Sequence, residues 1–216
     1  MASTSPPRIG ILGGTFDPVH VGHLVAATEL RHRLGLARVL FLPAGRPPHK
    51  PLQDLAPDAD RLAMLELALA GEPGFSVEPF ELGRRGPSYT ADTLEALAPT
   101  LVPAEPVFLM GEDALRDLPT WHRPGRIVEL ARLGVATRPE VSVDLAVVVA
   151  RVPAAAGRID LVPVPQIGVS SRDLRRRVAA GEPIAYQVPP AVARYIADRD
   201  LYRPIRSGAD DRHPRR

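Results

Sequence analysis

The stretch that decides the fold lies at residues 8–34 and reads RIGILGGTFDPVHVGHLVAATELRHRL. Its first residues are mostly apolar and end at a glycine pair, Gly13 and Gly14, which is typical of a short buried strand. Helical periodicity follows over residues 20–34, and Gly35 is a residue type that commonly ends helices. A strand, a glycine-rich turn and a helix in this order predict the first unit of a parallel sheet covered by helices.

The alternation of apolar runs and amphipathic stretches continues along the chain of 216 residues. Further strands are predicted at residues 38–42, 75–78, 107–110, 135–137 and 159–164, and further helices at residues 58–70, 90–97, 112–118, 126–133, 171–180 and 190–198. Residues 144–152 suit either type of element. We therefore expect an α/β fold, Rossmann-like and doubly wound, with a mostly parallel sheet and a small C-terminal helical part at residues 170–202. We expect one domain over residues 1–202 and a basic, loose tail at residues 203–216.

Composition excludes several classes of protein. Cysteine is absent, which rules out a disulfide framework and thiolate metal sites and fits a cytoplasmic location. The chain has no run of 18 apolar residues, and residues 1–8 lack an apolar signal core, so we expect neither a membrane span nor secretion. The last fourteen residues hold five Arg against two Asp, whereas the whole chain totals only +2, so the rest is close to neutral. A dedicated nucleic-acid partner is therefore not expected.

The turn after the first strand has the features of an anion site. Gly13 and Gly14 let a ligand approach the backbone closely. Asp17 is predicted to cap the following helix, with Pro18 at its first position. The free N–H groups and the positive dipole end of that helix would then point at a bound phosphate.

Two histidines, His20 and His23, stand three residues apart in the opening turns of this helix, so their imidazoles neighbour each other on one face. There they can donate hydrogen bonds to phosphate oxygens that gain charge during phosphoryl transfer. Gly22, between them, leaves room for a bulky group to lie against the helix. Two other interpretations stay open: a helix cap with two incidental histidines, and a zinc site, for which no third ligand is in evidence.

The sequence Gly-Gly-Thr-Phe-Asp-Pro followed by His-x-Gly-His resembles the nucleotidyltransferase superfamily that is related to class I aminoacyl-tRNA synthetases. The form with His20 resembles its nicotinate mononucleotide adenylyltransferase branch, and the likeness runs over residues 9–202. The resemblance implies adenylyl transfer from ATP to nicotinate mononucleotide in NAD biosynthesis, which yields nicotinate adenine dinucleotide and pyrophosphate. It also implies that the ATP contacts include Gly13, Gly14, Thr15, Phe16, His20, Gly22 and His23. We expect Mg²⁺ to arrive on the ATP phosphates, because no cluster of Asp residues offers a cage.

A second candidate phosphate site begins with the sequence Ser-Ser-Arg-Asp at residues 170–173. The pattern predicts a capping box in which Ser170 caps a helix and Asp173 reaches back to the cap. Four Arg, at positions 172, 175, 176 and 177, oppose the helix dipole, which favours a bound anion. The resemblance implies that Ser170, Ser171 and Arg175 hold ATP phosphates, and Arg175 joins the two histidines as a candidate catalytic residue. Simple capping is the alternative.

A proline-rich loop at residues 43–50 is a candidate segment for binding the acceptor. It contains Arg46, His49 and Lys50, and Lys50 is the only lysine among 27 basic residues, which hints that a compact ammonium group is needed there. The resemblance implies that this loop lines the substrate cleft, so all three side chains are candidates for holding phosphates. Arg138 is a weaker candidate of the same kind. A solvated, charged loop is the alternative interpretation.

Further acceptor contacts are implied by the resemblance, which places Tyr89 and Thr90 near the nicotinate group. Thr90 can offer a hydroxyl and a helix-start N–H to a carboxylate, although an N-cap explains this residue equally well. The resemblance also implies that Gly111 and Asp113 contact ribose and that Trp121 lines the pyridine site. A core anchor is the simpler interpretation of Trp121, the only tryptophan.

Two other kinds of function stay open at this point. The first is the same chemistry on another acceptor: nicotinamide mononucleotide, phosphopantetheine, or a cytidylyl transfer. The phosphopantetheine branch usually has Thr in place of His20, which argues against it. The second is a nucleotide-binding or RNA-associated module without turnover, supported only by the basic tail. The oligomeric state is also open, a homo-oligomer included.

Overall fold

The protein is described by a computed structural model that covers residues 6–47, 55–137 and 143–203. Six strands form one sheet: β1 (Arg8–Gly14), β2 (Leu36–Pro43), β3 (Phe75–Val77), β4 (Glu105–Gly111), β5 (Arg132–Thr137) and β6 (Ile159–Pro163). Their spatial order is β3-β2-β1-β4-β5-β6, and every neighbouring pair is parallel. The chain therefore starts in the middle of the sheet and winds outward in both directions, which confirms the Rossmann-like, doubly wound prediction.

Eight α-helices connect or follow these strands: α1 (Val21–Arg33), α2 (Asp58–Leu69), α3 (Thr90–Leu101), α4 (Glu112–Asp117), α5 (Pro124–Leu130), α6 (Leu145–Arg151), α7 (Ser171–Ala179) and α8 (Pro190–Asp198). This number refers to the described ranges alone. Short 3₁₀ turns lie at Leu118–Thr120 and Pro153–Ala155. Within the same ranges, no helix combines the length and the apolar character that crossing a bilayer requires.

Two hydrophobic cores cover the two faces of the sheet. In β2, Leu40 and Leu42 belong to one core and Val39 and Phe41 to the other, because strand side chains alternate between faces. Helices α3 to α6 pack into the first core, and α1, α2, α7 and α8 into the second. The C-terminal helices thus share a core with the sheet, and the expectation of one domain over residues 1–202 stays a prediction.

Two local predictions need revision. The helix expected at residues 126–133 ends at Leu130, because Ala131 is extended (φ −145°, ψ 149°) and Leu133 is fully buried in β5, paired with Phe108 of β4. The tertiary pairing overrides the local helical pattern. The ambiguous residues 144–152 form helix α6, capped by Asp144, whose carboxylate accepts a hydrogen bond from Ala146 N at 2.9 Å.

Candidate active site

The turn that contains the predicted anion site follows β1, at the carboxyl edge of the sheet. The helix start predicted in this turn is wrong. Helix α1 begins at Val21, and His20 is its N-cap, with extended backbone (φ −145°, ψ 168°). Asp17 is instead completely buried: its carboxylate accepts hydrogen bonds from the Tyr202 hydroxyl at 2.6 Å and from Ala56 N at 3.2 Å. Both bonds end on Oδ1, whereas the buried Oδ2 accepts no hydrogen bond from the described part of the chain and lies 3.5 Å from Arg175 Nη1. Asp17 is thus held by residues that are distant in the chain, and it does not cap α1. Burial and the nearby Asp17 carboxylate raise the pKa of the Tyr202 hydroxyl well above its ordinary value, so this contact stays a neutral donor to a carboxylate.

The free amides expected at the helix start are also partly engaged. The Val21 N–H donates to the Gln187 carbonyl oxygen at 3.0 Å, and the His20 N–H donates to His23 Nδ1 at 3.3 Å. The second bond has a consequence for chemistry. Because His23 Nδ1 accepts a hydrogen bond, a neutral His23 carries its proton on Nε2.

The two imidazoles lie against each other, as the spacing predicts. The rings of His20 and His23 are stacked, with centroids 3.7 Å apart and 25° between planes, and the His23 ring contacts the Phe16 ring edge-on at 5.1 Å. His20 is only 7% exposed, and its Nδ1 has no hydrogen-bond partner among the described residues. Burial lowers the pKa of His20 from 6.5 to about 4. His20 is therefore neutral at pH 7, and the stacked pair avoids two adjacent charges.

The absence of a side chain at Gly22 leaves room for the His20 ring. A Cβ atom at this position would lie 3.1 Å from His20 Nδ1 and 3.2 Å from its Cε1, closer than ordinary van der Waals contact. The His20 ring thus occupies the space beside Gly22 that the sequence suggested for a bulky group. Any residue larger than glycine would push the ring away from its place.

The start of α7 lies against the same turn. Ser170 caps the helix by accepting a hydrogen bond from Asp173 N at 3.2 Å, as predicted. Ser171 Oγ donates to the Pro18 carbonyl oxygen at 2.9 Å, and Arg175 Nη1 donates to the Asp17 carbonyl oxygen at 2.6 Å. These bonds join two helix starts, those of α1 and α7, at one place. Two positive dipole ends then face the same region.

The other half of the predicted capping box is wrong. The Asp173 carboxylate pairs with Arg176 at 2.7 Å instead of reaching back to the cap. Arg176 and Arg177 also pair with Glu182, at 3.0 and 3.1 Å. The charge of these two arginines is thus balanced within the protein, and they give no reason to expect a bound anion. The charge of Arg175 is partly offset as well, because the buried Asp17 carboxylate lies 3.5 Å from its Nη1. That argument now depends mainly on the exposed Arg172.

Two cavities open side by side at this edge of the sheet. The first, of about 380 Å³, is lined by His20, Gly22 and His23 together with Gly111 and Asp113. We call it the histidine cavity. Gly111 and Asp113, which we group with the acceptor site from the sequence, thus lie beside the histidines.

The second cavity, of about 570 Å³, is lined by Gly13, Gly14 and Thr15 together with Tyr89 and Thr90. We call it the aromatic cavity. Both cavities also have Gly13, Phe108 and Trp121 in their linings, so these residues form a shared wall.

Aromatic rings define the walls of the aromatic cavity. Trp121 contacts Phe108 edge-on, with ring centroids 6.1 Å apart, and His122 lies over Tyr89 at 4.4 Å. Tyr89 is the N-cap residue of α3, and Thr90 is its first helical residue, so the interpretation of Thr90 as the N-cap is wrong. The Thr90 N–H belongs to the first turn, where helical amides have no intrahelical acceptor.

The proline-rich loop is described only in part. Arg46 is exposed, and its backbone pairs with Ser88, whose Oγ accepts from Arg46 N at 3.1 Å and whose N donates to Arg46 O at 2.9 Å. His49, Lys50 and Arg138, three of the predicted phosphate-binding residues, lie outside the described residues. So does the tail after Arg203.

An ion-pair network fixes the segment that carries Trp121 and His122. The next residue, Arg123, has a left-handed backbone (φ 52°) and donates to Asp92 at 3.2 Å and to Glu95 at 2.6 Å. Hydrogen bonds from Arg123 and Arg126 lower the pKa of Glu95. Since Asp92 and Glu95 lie on α3, the network holds the Trp121 segment against the helix that presents Thr90.

Within residues 6–47, 55–137 and 143–203, no group of three or more His, Asp or Glu side chains is arranged to hold a metal ion. The stacked arrangement of His20 and His23 also differs from zinc ligation, in which the ring nitrogens of both residues converge on one point. The pair is better suited to contact a ligand that lies across both rings. This geometry favours the phosphate interpretation over the zinc site.

Comparison with known proteins places the chain in a family. A family profile described as cytidylyltransferase-like matches residues 11–177. A probable nicotinate-nucleotide adenylyltransferase from Thermomicrobium roseum is 55% identical over 208 residues, which cover 96% of this chain and 97% of the relative. The chain belongs to the nicotinate-nucleotide adenylyltransferase family. A probable nicotinate-nucleotide adenylyltransferase from Roseiflexus sp. strain RS-1 is 48% identical, with 92% of this chain and 100% of the relative covered.

Solved structures support the same fold. The nicotinic acid mononucleotide adenylyltransferase of Plasmodium falciparum, complexed with NaAD, matches with a TM-score of 0.75 at 17% identity, covering 91% of this chain and 97% of that one. The same enzyme complexed with APC matches with a TM-score of 0.74. As a member of the nicotinate-nucleotide adenylyltransferase family, the chain is a nucleotidyltransferase, which excludes a binding module without turnover.

Some residues of the candidate active site were not anticipated from the sequence. Phe108 and His122 line the aromatic cavity, and Arg61, buried in α2, contacts the backbone beneath it. A basic residue in an amphipathic helix normally indicates a solvent-facing position, so the pattern gives no signal for Arg61. His122 carried a weak signal, since it directly follows the only tryptophan.

Proposed function

We propose that this protein transfers the AMP unit of ATP to nicotinate mononucleotide, with ATP in the histidine cavity and the acceptor in the aromatic cavity. The observation that carries the assignment is the shared wall formed by Gly13, Phe108 and Trp121. Substrates in the two cavities meet beside this wall, next to the histidine pair. The family names of the relatives in Thermomicrobium and Roseiflexus support the same reaction.

The chemistry is a displacement at phosphorus. An oxygen of the mononucleotide phosphate attacks the α-phosphorus of ATP, the bond to the β-phosphate oxygen breaks, and pyrophosphate leaves with both electrons of that bond. The attacking phosphate is already an anion, so no side chain has to remove a proton or become covalently modified. Catalysis then consists of positioning and of stabilising negative charge.

The two histidines supply hydrogen-bond donors for that charge. In His23 the accepting Nδ1 leaves Nε2–H as the donor, and in His20 burial keeps the ring neutral. We assign both residues to the phosphates of ATP, where they donate hydrogen bonds to oxygens that become more negative as pyrophosphate departs. The paired starts of α1 and α7, with Ser170, Ser171 and Arg175, add positive potential on the same side.

The aromatic cavity suits a pyridine ring that carries a carboxylate. Trp121 and Tyr89 offer flat faces for the ring, and the Thr90 N–H and hydroxyl offer donors at a helix start. A carboxylate accepts from such donors with both oxygens, whereas an amide presents an NH₂ group to one of them. This difference favours nicotinate over nicotinamide mononucleotide.

Magnesium enters the proposal as part of the substrate, Mg·ATP. Mg²⁺ prefers oxygen ligands, keeps several waters and is commonly held through nucleotide phosphates. Asp17, in the turn after β1, is fully buried between Tyr202 and Arg175, so it fits a structural role better than metal binding. Asp113, in the histidine cavity, is assigned to the ribose of ATP. We also propose a cytoplasmic location, in line with the absence of cysteine.

One assay tests the function. Purified protein is incubated with Mg·ATP and, in turn, with nicotinate mononucleotide, nicotinamide mononucleotide and phosphopantetheine, and pyrophosphate release is measured. We expect turnover with nicotinate mononucleotide and at least about 10-fold lower kcat/KM with the amide, because the amide leaves donors at Thr90 unpaired. Equal kcat/KM values for acid and amide would contradict the assigned role of Thr90. Absence of release with every acceptor would contradict the function itself.

A further inference from the structure

Arg61 in α2 has a side chain without solvent exposure, which is unusual for an arginine. Burying a guanidinium is costly unless all its donors find acceptors. Its one counterion, Asp58, has a side chain that is 46% exposed, so the ion pair alone does not explain the burial. The remaining acceptors are backbone carbonyl groups.

Those carbonyl groups come from three separate segments. Arg61 Nη1 donates to Thr15 O at 2.9 Å and to Ala44 O at 2.7 Å, and Nε donates to Ala56 O at 3.2 Å. Thr15 belongs to the turn after β1, and Ala44 belongs to the turn after β2. A direct bond from Ala44 N to Gly14 O, at 2.8 Å, joins the same two turns. Arg61 thus holds together the two turns that leave the middle of the sheet.

Both turns line the aromatic cavity, through Thr15 and Ala44. Because Arg61 is fully buried, its bonds turn the carbonyl oxygens of these two residues toward the protein interior and away from the cavity. In a trans peptide the C=O and the N–H point in opposite directions, so in the peptides that follow Thr15 and Ala44 the N–H points away from Arg61. An anionic ligand in the cavity therefore meets no carbonyl oxygen from either of these two peptides, and it lies in front of a buried positive charge.

We propose that Arg61 is a positioning residue for the acceptor: it holds the turns after β1 and β2 at one spacing and keeps their carbonyl groups turned away from the acceptor phosphate. The inference rests on the proposed function, since it assigns the aromatic cavity to the mononucleotide. Arg61 acts through Thr15 and Ala44 and does not touch the substrate itself. A role in stability alone would be met as well or better by an apolar side chain of similar size.

The test compares Arg61→Met, Arg61→Lys and a control, Asp60→Asn. Asp60 is the neighbouring residue on α2; it is buried and accepts from Tyr195 and Arg199, away from the substrate turns. Each variant is checked by circular dichroism and thermal unfolding. KM for nicotinate mononucleotide, KM for ATP and kcat are then measured by pyrophosphate release, with the folded fraction used as the enzyme concentration.

We expect Arg61→Met to raise KM for nicotinate mononucleotide about 10-fold or more while KM for ATP stays within about 2-fold. Arg61→Lys keeps the charge but reaches fewer carbonyl groups, so its acceptor KM should rise about 3-fold. Asp60→Asn should lower the melting temperature and leave both KM values unchanged. If Arg61→Met does not fold, Arg61→Lys carries the same comparison.

Unchanged acceptor KM in the folded Arg61 variants would overturn the inference, and so would equal rises in both KM values. An acceptor KM that rises in Asp60→Asn as much as in the Arg61 variants would show a general effect of destabilising α2, which also overturns it. The wild-type chain separates this result from the proposed function. If it releases no pyrophosphate, the function is refuted and the inference with it, whereas wild-type turnover with insensitive Arg61 variants refutes the inference alone.

Discussion

Replacing Gly22 by alanine should affect stability and catalysis differently. Gly22 is the second residue of α1, and alanine is the better helix former, by at most the roughly 0.5–1 kcal/mol that holds for a helix interior. The added methyl group, however, would lie 3.1 Å from His20 Nδ1, where ordinary contacts begin at 3.4 Å. The His20 ring must therefore move by a few tenths of an ångström. The variant should be no less stable than the wild type but a poorer catalyst.

The size of the catalytic loss follows from that displacement. A misplacement of 1 Å at a reacting centre can cost about 100-fold in rate, so a shift of about 0.3–0.5 Å should cost roughly 5- to 10-fold in kcat. KM for nicotinate mononucleotide should change little, because Gly22 lines only the histidine cavity. The loss should thus appear mainly in kcat and in the ATP parameters.

Gly125→Ala is the matched control. Gly125 is likewise the second residue of its helix, α5, and a Cβ there would meet no atom within 4 Å. Both variants are compared by urea unfolding and by pyrophosphate release with nicotinate mononucleotide and Mg·ATP. We expect Gly125→Ala to keep the wild-type kcat. A kcat of Gly22→Ala within 2-fold of the wild type would refute the claim that the packing of His20 sets the rate.

Three more predictions follow from the same contacts. First, His20→Gln should lower kcat on the order of 100-fold, and it should also remove a pH dependence of folding. The pKa of His20 in the folded protein, about 4, lies below its ordinary value of 6.5, so the wild type loses stability as pH falls from 6.5 toward 4. At pH 5 this loss is about 2 kcal/mol relative to the variant. If the urea midpoints of wild type and variant shift equally between pH 7 and pH 5, this prediction is contradicted. Second, Tyr202→Phe removes a donor from the buried Asp17 and should lower the free energy of unfolding by about 1–3 kcal/mol. The control Tyr186→Phe, at a side chain that is 93% exposed, should change it by less than about 0.5 kcal/mol. Equal unfolding midpoints for the two variants would disprove the Asp17 contact. Third, nicotinate mononucleotide without ATP should change the fluorescence of Trp121, the only tryptophan, and a titration that leaves the emission unchanged would place the pyridine ring elsewhere.

The sequence predicted the fold well because its strongest signals are local and periodic. The apolar runs of β1, β2 and β4 and the spacing of His20 and His23 depend on neighbouring residues, and these features stand in the structure as expected. The turn at Asp17 was predicted wrongly for the opposite reason. Its partner Tyr202 lies 185 residues away in the chain, and no local pattern indicates such a bond.

The sequence predicted residues of the candidate site only where they belong to a recognisable local motif. The glycine pair and the histidines predict a phosphate site directly from the sequence. Arg61, in contrast, has the pattern of a surface arginine, and its buried position depends on the Thr15 and Ala44 carbonyl groups, which lie 46 and 17 residues away in the chain. The sequence also did not predict that the site is divided into two cavities, because this division depends on how β1 and β4 lie next to each other. Nor did the sequence indicate that Gly111 and Asp113 lie beside the histidines, and their role in substrate binding stays a prediction.

The wall formed by Gly13, Phe108 and Trp121 also bears on what happens after the reaction. If the two substrates bind as proposed, two separate molecules enter, and the dinucleotide that leaves has one half in each cavity. When one half detaches, the other holds it at a high local concentration, so it rebinds before the whole molecule escapes. The product should therefore dissociate more slowly than either mononucleotide half would alone, and its departure is a natural point at which accumulated dinucleotide restrains its own synthesis.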